Sequence, residues 1–509
     1  MSRPRRCRAR TNAPFAAHDW GATCAWPVPN REGGTTLMSR FHRPLRTLCA
    51  VLAAVVLAAV GYAGQASASD SPYPATISAL YDRNEAFLKV DKQWVMGEPF
   101  NMHFISTVTT GGEIRAYYIK NKPDGTFATA LATSTDGVNW SDHGIVLDTG
   151  PSGSWDDRIA SFPGVAYVNG TFYLVYEGAG FSPANPGDIG LATSTDGVTF
   201  TKVGRILTHN PSGWESANIG TPNLWYENST WHLYYHRYDG TDVRVGFASG
   251  TSLTSLSKSG SNPVLSTGPG GSWDAGTIGK RDIVKEGSYY YMVYEGSTDA
   301  PFETAQWSSG LARASSPSGP WTKYRQNPVL APESGFGNDG PAFLSLGGER
   351  WVYYRSIGQF GSVTRRAKVS NETNGGWGLM FETESMPYHQ VGRPDGDGWS
   401  ANTSDGPGFL AYGPYNNNVV PDWNTGVVKL AIDNVTAGND LVATIDVYDA
   451  TAGQIIALRQ IFRHDFQQAS HYEFMIVPFA WEGRAGHTFE IRTFTHGTAY
   501  LRQDRQGTD

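Results

Sequence analysis

The chain has 509 residues, 17% of them charged and 13% aromatic, with 59 Gly, 29 Pro and 3 Cys. Ordinary soluble domains carry about 25% charged residues, so this one solvates itself with Ser, Thr, Asn and Gly instead. The aromatic content excludes a disordered chain, and the composition points away from coiled coils and helical bundles toward an all-β protein.

Cys7, Cys24 and Cys49 all lie in the first tenth of the chain. From Met38, the basic residues Arg40, Arg43 and Arg46 precede an apolar run from Leu48 to Val60 and the small residues Ala66-Ser67-Ala68. That is the layout of a secretory signal peptide with its cleavage site, and the run is short for a membrane span. Residues 1–37 are Arg-rich without periodicity, so Met38 reads as the true start and residues 1–68 as extension plus signal. Taking the 9 Arg and 2 acids of that segment from totals of 40 and 47 leaves 31 basic and 45 acidic residues, net −14. An acidic, extracellular chain without cysteine has no thiolate metal site and is a poor partner for nucleic acid or anionic membranes.

Three segments then align without gaps, SWDDRIASFPGVAYVNGTFYLVYEG from Ser154, GWESANIGTPNLWYENSTWHLYYHR from Gly213 and SWDAGTIGKRDIVKEGSYYYMVYEG from Ser272. Their tryptophans, Trp155, Trp214 and Trp273, and their closing tyrosines, Tyr176, Tyr235 and Tyr294, recur every 59 residues. A copy from Phe336 places Tyr354 60 residues on, and a weaker one from Gly97 places Tyr118 58 residues before Tyr176. Each copy continues with a phrase such as ALATSTDGVNW (Ala130–Trp140) or GLATSTDGVTF (Gly190–Phe200) and several with a return such as NPVLSTG (Asn262–Gly268). Alternating apolar runs between Asn-Gly and Asp-Gly turns predict four short antiparallel strands per repeat. Five such sheets bury their faces by radial stacking, so residues 69–385 are expected to form a five-bladed β-propeller. A polar stretch, 386–408, reads as a linker. Residues 409–509 carry six or more alternating strands and read as a β-sandwich, either a carbohydrate-binding module or a packing partner.

A propeller brings residues from matching positions of different blades to one funnel, and paired carboxylates there suit glycoside hydrolysis. The funnel-mouth acids by this reading are Asp91 and Glu98, Asp156 and Asp157, Glu215, Asp274 and Asp282, and Asp339. Trp155, Trp214 and Trp273 accompany them as surfaces for sugar rings. Asp156, Glu215 and Asp274 recur at one repeat position and are equally readable as turn caps serving the fold. Asp157, which faces Ser216 and Ala275 in the sister repeats, and Asp282, beside Lys280 and Arg281, break the repeat and are the better functional candidates. The position after the strand-two tyrosine also varies, as Ile119, Glu177, His236, Glu295 and Arg355, and antiparallel pairing returns it to the funnel level. Glu177 and Glu295 are candidate acids there, His236 and Arg355 candidate ligands of hydroxyls or carboxylates, and cross-blade hydrogen bonding is the structural alternative.

The phrases Asn-Pro-Val-Leu, Trp-Asp, Tyr-Tyr-Met-Val-Tyr-Glu-Gly and Gly-Leu-Ala-Thr-Ser-Thr-Asp-Gly-Val resemble the five-bladed propeller glycoside hydrolases of families 43, 62, 32, 68, 117 and 130, closest in style to family 43. The resemblance covers residues 85–385. It implies cleavage of a glycosidic bond, often of arabinofuranosides or xylosides, by an Asp base from the first blade, an Asp that tunes pKa and a Glu acid from a later blade. The chain departs from family 43 in having Glu98-Pro99 where the base Asp precedes proline, and in lacking a clean Glu-Gly-Pro acid motif. Carried onto this sequence, the acid role falls to Glu215 and the base and tuning roles to Asp157 or Asp282, with Asp156 and Asp274 beside them. Glu98, Arg158, Trp155, Trp214, Trp273, His236 and Arg355 are then expected to bind substrate. No Trp-x-Asn-Asp-Pro-Asn signature of family 32 is present, which disfavours a fructosidase. The Ser-x-Asp-Gly-x-x-Trp phrases resemble a shortened sialidase Asp-box, but sialidases are six-bladed and use an arginine triad. The expectation is a secreted, monomeric hydrolase of an extracellular poly- or oligosaccharide that requires no cofactor, with room for a structural calcium. The alternative from another class is a non-catalytic, lectin-like propeller with three equivalent Trp-centred sugar sites.

Overall fold

The computed structural model describes residues 75–91, 96–97, 102–299, 305–331, 337–358, 361–371, 379–415, 424–479 and 484–508, all within the compact unit Ala68–Asp509. The expected signal segment, the three cysteines and Glu98 lie outside them. Apart from the helix Ile77–Arg83 and two single 3-10 turns, the regular structure among the described residues is β.

Each sequence repeat folds as an up-and-down sheet. The second repeat, for example, runs Ile159–Val168, Thr171–Ala179, Asp188–Ser194 and Thr201–Leu207, each strand antiparallel to the one before. The third and fourth repeats are separate four-stranded sheets, whereas the first and second join through a single parallel pairing, Phe127↔Ile159. The last repeat contributes three strands, Gly337–Leu346, Glu349–Gly358 and Gly361–Ser370, and its fourth comes from the N-terminal end as Phe87–Val90. Phe87 pairs with Ser370 and Val90 with Ala367. The first strand of each repeat lies innermost. These inner strands neighbour one another in a closed cycle: Ser106–Thr110, Ile159–Val168, Asn218–Glu227, Thr277–Glu286, Gly337–Leu346 and back to Ser106–Thr110.

Consecutive side chains of a strand point to opposite faces, and the doubled tyrosines use this rule. Tyr234 enters the apolar core shared with the fourth repeat and Tyr235 the core shared with the second. Tyr353 packs toward the first repeat and Tyr354 toward the fourth. Every apolar core of the cycle therefore belongs to two neighbouring repeats, which is why a single sheet with two apolar faces needs both neighbours.

The recurrent Ser-Thr-Asp-Gly phrase is a turn that docks one repeat on the next. Asp136 Oδ1 accepts the amides of Val138 and Asn139 at 2.8 Å each, and Gly137, at φ 71°, presents its carbonyl to the Tyr353 hydroxyl at 2.5 Å. Asp196, Gly197 and Tyr117 repeat the arrangement, with a 2.7 Å bond from Tyr117 to the Gly197 carbonyl.

The C-terminal residues build two sheets around one core. One contains Arg393–Asp395, Gly398–Ala401, Leu501–Thr508, Asn424–Ile432 and Glu473–Phe479, with Leu379–Glu382 paired beside it. The other contains Gly408–Ala411, Phe489–Thr495, Leu441–Asp449 and Gln454–Phe462. Val428, Leu430, Ile445, Val447, Met475 and Ile491 fill the space they share. The stretch expected to be a linker is corrected here, since residues 393–401 form two strands of the first sheet. Arg393–Asp395 forms the edge and Gly398–Ala401 is paired on both sides. The N-terminal segment ties this region to the repeats, because the Phe474 amide donates to the Asn84 carbonyl at 2.9 Å and the Phe87 ring meets Phe474 at 5.6 Å.

Candidate active site

Four inner strands break register with their hairpin partner at one level, between Ser161 and Gly164, Gly220 and Asn223, Ile278 and Arg281, and Asp339 and Ala342. Bulges of this kind re-aim the backbone. Three of them contain proline (Pro163, Pro222 and Pro341), which has no amide proton to lose from the ladder. The residue before each proline has a positive φ, 54° at Phe162, 36° at Thr221 and 62° at Gly340, and Phe104 of the first repeat has 52°. For phenylalanine and threonine such a backbone costs on the order of 1–3 kcal/mol each and persists only where neighbours over-determine it.

The bulges turn amide groups toward the hub, where carboxylates meet them. Glu177 Oε2 of the second repeat accepts the Thr221 amide of the third at 2.9 Å. Glu295 of the fourth accepts its own Lys280 amide at 2.7 Å and the Gly340 amide of the fifth at 2.6 Å. Asp339 is gripped by both arms of Arg355, with Nε to Oδ1 at 2.8 Å, and His103 of the first repeat stands 3.5 Å from the same oxygen. Phe104 meets Phe162 edge-on at 5.2 Å and completes the circuit from first repeat to second. Between the carboxylates, Arg281 Nη2 donates to Thr221 Oγ1 at 2.9 Å, and Thr221 Oγ1 lies 2.5 Å from His236 Nδ1. All five repeats thus supply one site, with buried carboxylates and a half-buried aromatic wall of Phe104 and Phe162.

Burial sets the protonation states. It pushes the Glu177 carboxyl up to about 7, against the Thr221 amide and the Arg281 charge that favour ionisation. Burial, then the neighbouring Asp339 charge, pushes Glu295 up as well. The Asp339 carboxylate also pays for burial, but Arg355 overrides this and holds it well below the usual carboxylate range. Burial and a nearby guanidinium lower His103 to about 4 and His236 to about 3, so both imidazoles are neutral. Acids split this way, one protonated near neutrality and one always ionised, are what acid/base cleavage of a glycoside uses.

The residues expected from sequence divide sharply. Glu177, Glu295, His236 and Arg355, taken from the position after the tyrosine, all reach the site, as does Asp339. The expected roles of His236 and Arg355 as substrate ligands need correction. His236 spends both nitrogens on Thr221 and on Asn218 Oδ1 at 3.1 Å, and Arg355 is committed to Asp339.

Asp156, Glu215 and Asp274 do not join them. Each is buried inside its own repeat, bonded to a tyrosine hydroxyl (Tyr176, Tyr235 or Tyr294) and to a lysine on the outermost strand (Lys202, Lys258 or Lys323). The same tyrosine–carboxylate–lysine clasp recurs in three repeats, which gives Asp156, Glu215 and Asp274 partners within their own sheets rather than among the hub carboxylates. The tryptophans are packing groups too. A Cβ on Gly178 would sit 2.2 Å from Trp155, and one on Gly310 2.5 Å from Trp273, while Trp214 lies under Arg237 at 5.4 Å.

Asp157 holds a loop, accepting the Gly153 amide at 2.7 Å and the Phe181 amide at 2.9 Å. Arg158 stands over the Phe181 ring at 6.0 Å. Asp282 lies past the bulge, where it takes the Asn223 side-chain amide at 2.7 Å and the Phe343 amide at 2.8 Å, joining three repeats. Its charge also acts on Lys280 and Arg281 beside it. Asp91 pairs with Arg366 at 2.7 Å at the end of the N-terminal strand. Phe104, Phe162, Thr221 and His103 were not singled out by sequence. A proline recurs at 163, 222 and 341, each directly after one of the positive-φ residues Phe162, Thr221 and Gly340.

Among the described residues no group of three or more His, Cys, Asp or Glu side chains is placed to hold a metal ion.

A cycle of β-sheets that gathers buried carboxylates at its hub is an arrangement of the kind glycoside hydrolysis uses. The model of the glycosyl hydrolases family 43 matches residues 106–367, just over half of the chain, and the chain belongs to that family. Among solved structures it is similar to an endo-1,4-beta-xylanase from Bacteroides thetaiotaomicron (19% identity, 53% of this chain and 95% of that chain, TM-score 0.41). It is also similar to an arabinanase of Bacillus subtilis (15%, 54% and 96%, TM-score 0.41) and a family 117 glycoside hydrolase of the marine bacterium Zobellia galactanivorans (16%, 56% and 91%, TM-score 0.43). No curated protein matches the chain.

Proposed function

We propose that the protein is a secreted, monomeric hydrolase of arabinofuranoside- or xyloside-containing extracellular polysaccharide, built as a five-bladed propeller with a C-terminal β-sandwich. Glu177 is its general acid and Asp339 its ionised carboxylate. The observation that carries the reading is the split between these two groups within one site. Glu177 holds its proton near neutrality, and among the described residues only its Oε2 is tied to the protein. Asp339 is kept charged by Arg355.

In this reading the free oxygen of Glu177 delivers its proton to the glycosidic oxygen as the bond to the anomeric carbon breaks. The fixed charge of Asp339 favours the positive charge that builds at that carbon. With both oxygens bonded to Arg355, Asp339 is a poor base, so its role is electrostatic and the proton of the incoming water passes to solvent. Both oxygens of Glu295 are occupied by amides, which makes it a charge-setting neighbour of Asp339 rather than a proton donor. The Phe104–Phe162 wall gives the C–H face of a sugar ring an apolar surface. The pentoside class rests on the recurrent sequence phrases, and secretion on the segment following Met38.

The test is a panel of aryl arabinofuranosides, xylosides and pyranosides assayed with the wild type, Glu177→Gln and Asp339→Asn. Activity confined to pentosides and lowered ~10²–10⁴-fold in each variant is expected. Full activity in both folded variants would remove the assignment.

A further inference from the structure

We infer that Thr221 and His236 form a pin that positions the general acid: the Thr221 hydroxyl, clamped between Arg281 and His236, holds a left-handed backbone so that its amide faces Glu177 Oε2. This rests on the reading of Glu177 as acid.

The hydrogen-bond directions are determined by the groups themselves. A guanidinium only donates, so Arg281 Nη2 occupies a lone pair of Thr221 Oγ1 at 2.9 Å. Asn218 Oδ1 can only accept, so in the neutral ring His236 Nδ1 is left without a proton and accepts that of the Thr221 hydroxyl at 2.5 Å. His236 Nε2 then carries the ring proton and donates to Asn218 Oδ1 at 3.1 Å. The imidazole is neutral, and a second positive charge beside Arg281 would oppose any other state. The bond from Arg281 is buried and the one to His236 partly so.

The pinned residue is the one whose backbone is least comfortable. Thr221 is β-branched, lies at φ 36° and precedes Pro222. Threonine does not adopt that region unaided. With the backbone held there, the amide meets Glu177 Oε2 at 2.9 Å. Oε1 is the oxygen left for the proton, so the pin selects which carboxyl oxygen works. The amide also favours the ionised acid and keeps its pKa from rising further. Without the pin Glu177 loses this donor, its pKa rises, and the proton is no longer aimed.

The experiment compares Thr221→Val, which keeps shape and removes the hydroxyl, with Thr221→Ser, which keeps the hydroxyl, on an aryl glycoside across pH. Thr221→Val should lower kcat by roughly 10- to 100-fold, a share of the ~10²–10⁴ that general acid catalysis supplies, with KM changed much less. Its alkaline limb should move to higher pH, and Thr221→Ser should return the limb to the wild-type position. If Thr221→Val does not fold, His236→Leu and His236→Asn serve as the paired loss and rescue, because Asn keeps an acceptor at the Nδ1 position. An unmoved limb, or a serine variant as impaired as valine, overturns the pin while leaving an inactive Glu177→Gln to support the acid. An active Glu177→Gln overturns both.

Discussion

Lys280 of the fourth repeat donates from Nζ to the Ile105 carbonyl of the first at 3.0 Å, so one buried ammonium spans non-neighbouring parts of the cycle. It also reaches the Arg281 carbonyl at 3.4 Å. Burial lowers its pKa to about 8 from an ordinary 10.5.

The sign of the pH effect follows. A cation depressed in the folded state costs stability while charged, and that cost is relieved as pH rises from about 8 toward 10.5, where the unfolded chain still holds the proton. The difference in melting temperature between wild type and Lys280→Met should therefore shift in favour of the wild type over this window. A difference independent of pH between 7 and 10 would contradict the buried charge.

Glu177 must be protonated to act and its carboxyl lies at about 7, so kcat/KM should fall as pH rises through neutrality. Asp339 is held far below the usual range, so loss of its charge should not limit activity at pH 5. A profile with its alkaline limb above pH 9 would exclude Glu177 as the acid.

The clasps should behave as stability elements. In Asp274→Asn the Lys323 ammonium loses its charged partner, and Tyr294 keeps an oxygen to bond. A loss of about 1–3 kcal/mol is expected for a disturbed buried polar group, with kcat/KM within about twofold of wild type at 20 °C. Glu215→Gln should act alike. A Glu215→Gln variant that folds normally and hydrolyses nothing would return Glu215 to the chemistry.

Closure of the last repeat depends on Phe87–Val90, whose Leu88 is buried with Val352 and Val369. Leu88→Ala should cost about 2–5 kcal/mol, as for other buried leucines. Because the strand joins the two ends of the cycle, denaturant unfolding should shift for all repeats together. Unfolding of the last repeat alone, at unchanged stability of the rest, would argue against a closed cycle.

The 59-residue period announced the sheets, their strand count and the doubled tyrosines, because a repeated apolar pattern has only a few ways to bury two faces. The level of the hub was legible too, in the varied residue after each strand-two tyrosine. What misled was the weight given to Trp-Asp and Trp-Glu. A carboxylate next to tryptophan reads the same whether it faces a sugar or a lysine on the fourth strand, and Lys202, Lys258 and Lys323 are too far along the chain to be paired by inspection.

Fold class, family and the repeat positions that reach the hub were thus carried by the amino-acid order, since local periodicity and turn residues act over a few positions. Which acid keeps its proton was decided by tertiary structure alone. Glu177 and Asp339 differ in burial and in having Thr221 or Arg355 as partner, and those neighbours meet only once the cycle has closed. Desolvation and charge act through space, across distances that chain separation does not encode.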